Sequence, residues 1–310
     1  KKIVLISKKL ELRQGVVVDF LKLISEPLRY SSKELIRKLG LPKTHLYRLI
    51  HEFTDILEKD SKYIFVKKDM ENEIRELSNK ISQDEKTCDL KEIEETLKKY
   101  QKLRPEPNRD LDQFNATIET TVKRVIKLLK NGDLMGKKVA FLGDDDLVSV
   151  ATALTHKCNK ITVFEIDKRL NEFIAKISKE NNLEIEIIEQ DLSKPIDKKW
   201  LDEYEVVFTD PPYTIDGINM FLNQAIRVLK KNFLGRIYLC YGNSDRARER
   251  EVEIQKLILE HNLLIKTKLS QFNIYIGAES IGSQSSLYIL DWTPRTKTVN
   301  SNFKKVYTNE

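Results

Sequence analysis

Apolar residues recur in two different patterns along this chain of 310 residues, and the first pattern predicts a small helical domain. The segments "VVVDFLKLI" and "SSKELIRKLG" have helical spacing, and the second carries a serine N-cap and a closing glycine. In "LPKTHLYRLIHEFTDIL" the same spacing gives one apolar face, formed by Leu46, Leu49, Ile50, Phe53 and Leu57. The alternating "KYIFVKK" then predicts a short strand. Three short helices followed by a wing indicate a winged-helix-like domain over residues 1–70.

The third helix of such a domain can enter the major groove of DNA, here through Lys43, Thr44, His45 and Arg48. Winged helices also serve as dimerisation or substrate-channel modules. A complete catalytic pattern follows this domain along the chain. We therefore expect the domain to support a homodimer, and we do not expect it to bind DNA.

The second pattern begins at residue 112, where short apolar runs alternate with amphipathic helices. Strands are predicted at "KKVAFL", "ITVFEI", "EIEIIE", "YEVVFT" and "GRIYLCY", and "LSQFNIYIG" with "SSLYILDW" is typical of a closing hairpin. Such alternation predicts a parallel, doubly wound α/β sheet. With its terminal antiparallel hairpin, the arrangement resembles the Rossmann-like fold of class I methyltransferases. Residues 71–111 are then a helical linker, 112–295 the catalytic domain and 296–310 a C-terminal tail.

The net charge of +6 is unevenly placed, since residues 1–70 carry 16 Lys and Arg against 9 Asp and Glu, and the rest carries 38 against 39. The basic character therefore belongs to the N-terminal part. No run of about 18 apolar residues exists, so no membrane span is expected. Cys88, Cys158 and Cys240 lie far apart, which favours a reducing cytoplasm and no metal cluster. The Lys-rich and Glu-rich composition suits a heat-adapted protein.

The stretch "VAFLGDDDLVS" ends the first predicted strand of the sheet in an acidic loop. Nucleotide-binding loops at this place usually have several glycines, which let the backbone approach the ligand. Here Gly143 is followed by Asp144, Asp145 and Asp146. These carboxylates would repel a cofactor that bears an α-carboxylate and would hold one that bears a free ammonium. We expect a cationic ligand, and the alternative is a solvated acidic turn.

Two more acids stand at the ends of the next strands. Glu165 closes the second strand in "VFEID", the place where a carboxylate accepts hydrogen bonds from both hydroxyls of a ribose. Asp167 is expected to cap the following helix. Asp191 follows the third strand in "EQDL" and could accept a hydrogen bond from an adenine amino group. Gln113 and Thr117 precede the first strand and could line the pocket of the same ligand.

The segment "FTDPPYT" follows the fourth strand and is the strongest motif in the chain. Pro211 and Pro212 fix the backbone, so that the carboxylate of Asp210 faces an incoming amine. Tyr213 offers its ring to a cation, and Thr214 completes the motif. Similar motifs occur in methyltransferases that act on exocyclic amino groups. The shared chemistry is the attack of a nitrogen on a carbon next to a sulfonium.

The "GDDD" at 143–146 and the "DPPYT" at 210–214, behind a winged-helix-like domain, resemble the branched-chain polyamine synthases, the N(4)-bis(aminopropyl)spermidine synthase family. The resemblance implies transfer of aminopropyl groups from decarboxylated S-adenosylmethionine to the secondary amine of spermidine. A first transfer would give the tertiary amine and a second the quaternary ammonium, each releasing 5′-methylthioadenosine. It also implies small-molecule substrates, no prosthetic group and a cytoplasmic homodimer.

Within this interpretation the aspartates divide the work between proton transfer and binding. One of them removes the proton of the acceptor amine, and the others anchor ammonium groups. Asp144 or Asp145 is the expected base, because clustered carboxylates raise the pKa of at least one member. Asp146 is expected to act partly as a helix N-cap. Whether the site also holds a metal stays open. The alternatives are an S-adenosylmethionine-dependent amino-methyltransferase acting on nucleic acid and a winged-helix DNA-binding regulator.

Overall fold

The structure, a computed structural model, describes residues 2–86, 90–242, 248–278, 282–300, 303 and 305–308. Cys88 lies outside these ranges. The chain forms two compact units, one of Lys1–Asp89 with Lys130–Gly132 and one of Leu90–Leu129 with Asp133–Glu310. Within the described ranges, no helix combines the length and the apolar character needed to cross a bilayer.

The first unit packs, in its described residues, five helices and a small antiparallel sheet around its own core. Its elements are α1 Lys2–Leu10, α2 Gln14–Ser25, β1 Tyr30–Ser31, α3 Ser32–Leu39, α4 Lys43–His51, β2 Leu57–Lys59, β3 Tyr63–Val66 and α5 Glu71–Lys86. The strand order in the sheet is β1-β3-β2. Helix α5 packs on α2 within this unit. The unit therefore extends beyond residue 70, where the sequence predicted a linker.

Helix ends in the first unit follow from local side-chain chemistry. Helix α3 begins with a capping box between Ser31 and Glu34 and ends at Gly40 in the left-handed conformation, as predicted. Helix α4 is shorter than predicted, because it ends at His51 and Leu57 already belongs to β2. Phe53 is still buried, so the apolar spacing continued through a turn that is not helical.

The second unit alternates strands and helices. Its elements are α6 Leu90–Gln101, α7 Ile118–Lys130, β4 Lys138–Leu142, α8 Val148–Ala153, β5 Lys160–Glu165, α9 Lys168–Glu180, β6 Glu186–Glu189, β7 Val206–Thr209, α10 Ile215–Val228, β8 Arg236–Gly242, α11 Arg248–Glu260, β9 Leu264–Ile274 and β10 Gln284–Asp291. Short 3-10 turns occur at Arg109–Leu111 and Lys198–Trp200.

These strands form one seven-stranded sheet in the order β6-β5-β4-β7-β8-β10-β9. The first five are parallel, and β10 and β9 add an antiparallel edge. The predicted α/β sheet with a closing hairpin is therefore confirmed. Strand β9 begins at Leu264, earlier than the predicted Leu269, because it is an edge strand whose exposed face weakens the apolar signal.

The register of the central strands determines where the loops meet. Residues 139–142 of β4 are fully buried, as expected for a parallel strand covered on both faces. Leu142, the last residue of β4, lies beside Phe164 of β5 and Thr209 of β7. The segments that follow these three strands therefore leave the sheet at one edge, side by side.

Candidate active site

Three strand ends place Gly143, Glu165 and Asp210 at the same edge of the sheet. Gly143 has a φ of +69°, which favours glycine, and its N–H donates to the carbonyl of Phe164 at 2.9 Å. A Cβ at this position would lie 3.9 Å from Oε2 of Glu165. The glycine therefore brings the acidic loop close to the end of β5.

Asp144 is used by the protein's own backbone. Its carboxylate accepts hydrogen bonds from the N–H of Val148 at 2.8 Å and from the N–H and hydroxyl of Ser149. These groups form the first turn of α8, so Asp144 caps this helix and Asp146 does not, contrary to the prediction. Burial raises the pKa of Asp144 to about 7.

Asp146 is neutralised by two arginines. Its carboxylate accepts from Nη1 of Arg124 at 2.6 Å, from Nη2 of Arg104 at 3.2 Å and from the N–H of Ala116 at 2.6 Å. The side chain is almost completely buried. Asp146 is thus a paired structural anion of the site.

Asp145 differs from both of its neighbours. It is half-buried, and its side chain makes no hydrogen bond or ion pair with another residue in the ranges that the structure describes. Burial and the charge of Asp146 raise the pKa of Asp145, against the opposing effect of Arg104. Of the three aspartates in the loop, Asp145 is the one whose carboxylate is available to a ligand.

Asp210 enters the same cluster from the end of β7. It accepts from Nη2 of Arg124 at 2.7 Å, from the hydroxyl of Tyr275 at 2.6 Å and from the hydroxyl of Tyr213 at 3.1 Å. Burial raises the pKa of Asp210, although its pairing with Arg124 opposes this. Pro211 and Pro212, which follow it, are buried.

Tyr213 has its ring packed against Tyr241, with 5.3 Å between the centroids. A Cβ on Gly242 would approach the Tyr213 ring to 3.2 Å, so glycine there leaves room for the ring. The motif tyrosine is therefore fixed both by its hydroxyl and by its ring. Gly242, which the sequence analysis did not single out, belongs to this arrangement.

Arg124 is the central residue that sequence reasoning missed. Its guanidinium is fully buried and joins Asp146 and Asp210, and its Nε donates to Oδ1 of Asn273 at 2.8 Å. One signal was present, since α7 buries Thr121, Arg124, Val125 and Leu128, and a charged residue on this stripe needs buried partners.

Tyr275 and Asn273 come to the site from the hairpin edge. The N–H of Thr117 donates to the carbonyl of Ile274 at 2.9 Å, and the N–H of Ile276 donates to the carbonyl of Asn115 at 2.8 Å. This pairing holds the end of β9 beside the start of α7. The hydroxyl of Thr117 bonds to that of Thr120 within the first turn of α7. The expectation that Thr117 lines the ligand pocket stays a prediction.

Glu165 is buried, and burial raises its pKa. Its oxygens accept backbone N–H bonds from Asp144 at 3.0 Å and from Asp167 at 2.8 Å. Asp167 caps α9, as predicted. Gln113 donates from Nε2 to Asp167 at 3.3 Å, which places it beside the end of β5. Each oxygen of Glu165 retains a lone pair that a ribose hydroxyl can use.

Asp191 and Thr214 follow β6 and β7 at this edge, and each has partners outside the cluster around Arg124. Asp191 accepts from the N–H and the hydroxyl of Ser193 and pairs with Lys194 at 3.2 Å. Burial favours a higher pKa for Asp191, but these contacts outweigh burial, and the pKa is lowered. Thr214 caps α10, and its hydroxyl donates to the carbonyl of Val306 at 2.6 Å. Neither residue joins the cluster around Arg124 through a contact among the described residues.

No group of three or more His, Cys, Asp or Glu side chains in the described part of the chain is arranged to hold a metal ion. Cys240, at the base of the cluster, is buried, and burial raises the pKa of its thiol. Cys158 is partly exposed and lies at the opposite edge of the sheet, before β5.

The strand order and the acidic residues at the carboxyl ends of the strands define a Rossmann-like domain with the fold of class I methyltransferases. More narrowly, residues 92–309 match the sequence profile of the branched-chain polyamine synthase A C-terminal domain, and the chain belongs to this family. Over 197 residues it is 36% identical to the N(4)-bis(aminopropyl)spermidine synthase of Thermococcus kodakarensis. That alignment covers 62% of this chain and 56% of the relative, so the match spans little more than half of the curated synthase.

Two further comparisons extend over nearly the whole chain. An uncharacterized protein of Methanocaldococcus jannaschii is 32% identical over 320 residues, which cover 98% of this chain and 80% of the relative. The crystal structure of the branched-chain polyamine synthase from Thermus thermophilus, in complex with N4-aminopropylspermidine and 5′-methylthioadenosine, matches with a TM-score of 0.62. It is 20% identical and the match covers 98% of this chain and 96% of the other, which establishes the similarity of fold.

Proposed function

We propose that the protein transfers aminopropyl groups from decarboxylated S-adenosylmethionine to the secondary amine of spermidine, and then to the resulting tertiary amine. The observation that carries this proposal is Asp145, an available carboxylate in an acidic loop at the place where related folds bind nucleotides. Membership of the family and the names of the synthase relatives support the same reaction.

The charges of the site suit the charges of these substrates. Decarboxylated S-adenosylmethionine carries a sulfonium and an ammonium and has no carboxylate, and spermidine is a polycation. Around the site stand Asp144, Asp145, Asp146, Asp210 and Glu165, against two arginines. The excess of carboxylates favours cationic ligands and disfavours the additional carboxylate of S-adenosylmethionine.

In the transfer, Asp145 acts as the general base. It accepts the proton of the acceptor nitrogen, and the freed lone pair forms the new bond to the methylene carbon beside sulfur. The electrons of the carbon–sulfur bond pass to sulfur, which leaves as the neutral thioether 5′-methylthioadenosine. Because the tertiary amine produced is again protonated in water, Asp145 serves in the second transfer in the same way.

We assign the donor's nucleoside to the ends of β4, β5 and β6. Gly143 and Glu165 take the ribose, Asp191 the adenine amino group, and Gln113 and Thr117 the adjoining wall. The supporting observations are the free lone pairs of Glu165 and the position of Gln113 beside Asp167.

The acceptor lies on the DPPYT side of the site. Asp210 with Pro211 and Pro212 forms the wall that faces the amine, Tyr213 contacts the cation, and Thr214 fixes the end of the motif. The supporting observation is the hydrogen-bonded position of Asp210 and Tyr213 next to the Asp loop.

We further propose that the protein works as a homodimer in the cytoplasm and that residues 1–70, predicted to form a winged-helix-like domain, support this assembly. The family resemblance carries this part of the proposal. Sedimentation of the whole chain tests it, and a monomer at micromolar concentration would contradict it.

Donor titration tests the proposed reaction against its alternative. Isothermal calorimetry should give at least about tenfold tighter binding of decarboxylated S-adenosylmethionine than of S-adenosylmethionine, or about 1.4 kcal/mol. Equal or tighter binding of the carboxylated donor would favour a methyltransferase that acts on amino groups of nucleic acid. The DPPY motif is also compatible with that activity.

A further inference from the structure

A buried arginine stands in the middle of a site that favours cations. Each nitrogen of the Arg124 guanidinium has a partner, namely Asn273 on Nε, Asp146 on Nη1, and Asp210 with Tyr275 on Nη2. The distances lie between 2.6 and 3.0 Å. Such an arrangement needs the planar, forked geometry of a guanidinium, which the ammonium of a lysine cannot reproduce.

The partners of Arg124 divide the aspartates into two groups. Asp146 and Asp210 pair with it, and their carboxyl groups are held in fixed orientations. Asp144 is engaged by the first turn of α8. Asp145 is the remaining aspartate, and no described residue pairs with it.

We propose that Arg124 is a positioning residue that reserves Asp145 for proton transfer by holding the carboxyl groups of Asp146 and Asp210 on its guanidinium. This inference rests on the proposed function and deepens it, since it explains how one of four clustered aspartates becomes the base. Without Arg124, Asp210 would lose its ion pair and Asp146 would lose one of its two. Both would then compete with Asp145 for the proton and for the amine.

The charged groups that face Asp145 determine how its pKa changes when the bridge made by Arg124 is removed. They are Arg104, Asp146, Asp210 and Glu165, from four different segments of the unit. Without this bridge, the negative charges of the acidic groups are less well neutralised by positive charge. The proton affinity of Asp145 should therefore increase, and the activity should begin to rise at a higher pH.

The test compares three variants of the whole protein. Arg124→Lys keeps a positive charge and removes the bridge. Asn273→Ala keeps the guanidinium and removes the hydrogen bond that orients it. Arg236→Lys is the matched control, because Arg236 is also a buried arginine that joins two carboxylates, Asp133 and Asp291, but at the amino-terminal end of β8.

For Arg124→Lys we expect kcat for aminopropyl transfer to fall about 10²-fold, with the acidic limb of its pH profile displaced upward by about one unit. The KM for the donor should change less than about threefold, because the ribose contacts stay in place. Asn273→Ala should lower kcat about tenfold without displacing the limb. Arg236→Lys should leave kcat and the pH profile as in the wild type, whatever it does to thermal stability.

An Arg124→Lys variant with wild-type kcat and pH profile would overturn the inference. If circular dichroism shows that this variant is unfolded, Asn273→Ala decides, and an unchanged kcat there overturns the inference as well. A wild-type protein that forms no aminopropylated product would instead contradict the proposed function itself. The reaction of the wild-type protein therefore distinguishes a failure of the inference from a failure of the proposed function.

Discussion

Replacement of Asp144 by asparagine separates a structural aspartate from a catalytic one. The carboxyl of Asp144 is buried and bound to the first turn of α8, and burial raises its pKa to about 7 from an ordinary value of 3.8. An asparagine at this position keeps an oxygen that can accept the N–H of Val148. It has no proton to gain or lose.

The magnitude of the effect follows from the two pKa values. Between pH 3.8 and about 7 the native protein holds a proton that the unfolded chain releases. The free energy of unfolding contributed by this group is fully present below pH 3.8, falls by about 1.4 kcal/mol per pH unit, and is lost above about pH 7. From about pH 5 to about pH 8 the wild type therefore loses about 3 kcal/mol at this site, and the variant does not.

Denaturant unfolding of both proteins at the two pH values measures this difference. The stability of Asp144→Asn relative to the wild type should increase by about 3 kcal/mol between about pH 5 and about pH 8. Its kcat should stay within about threefold of the wild type, because the oxygens of Asp144 are occupied by backbone groups. A stability difference that does not vary with pH would refute the raised pKa. A hundredfold loss of kcat would refute the assignment of the base to Asp145.

Three further predictions concern the ligands. Asp145→Asn should lower kcat by roughly 10²–10⁴-fold with little change in KM, and near-normal turnover in steady-state kinetics would contradict its role as base. Glu165→Gln should instead raise the KM for the donor about tenfold with kcat retained, since it weakens contacts made in the ground state, and an unchanged KM would contradict the ribose assignment. The whole chain should show no nanomolar, sequence-selective DNA binding at physiological salt, which a titration of promoter fragments at several salt concentrations would detect.

The strands that carry the site could be predicted from the sequence because each is a short apolar run. The predicted starts and ends of the first, second and fourth strands differ from β4, β5 and β7 by at most two residues. Since parallel strands end at one edge, the meeting of Gly143, Glu165 and Asp210 followed from the pattern alone. These residues are local features of the chain, each placed by its own strand.

The contacts among the aspartates could not be predicted in the same way, because they join distant segments. Arg124 reaches Asp210 and Asn273, which are 86 and 149 residues away along the chain. The capping of α8 was assigned to Asp146, but the helix begins at Val148 and Asp144 reaches it through a turn with Leu147 in the left-handed conformation. Tertiary pairing therefore decided which aspartate is available, and the sequence left Asp144 and Asp145 undistinguished.

The most direct test of the central claim is mass spectrometry of spermidine incubated with the wild-type protein and each sulfonium donor in turn. With decarboxylated S-adenosylmethionine, spermidine should gain one and then two aminopropyl groups, with one 5′-methylthioadenosine released for each group transferred. With S-adenosylmethionine, spermidine should be unchanged. Spermidine that is methylated by S-adenosylmethionine, or that gains no aminopropyl group from the decarboxylated donor, would contradict the proposed function.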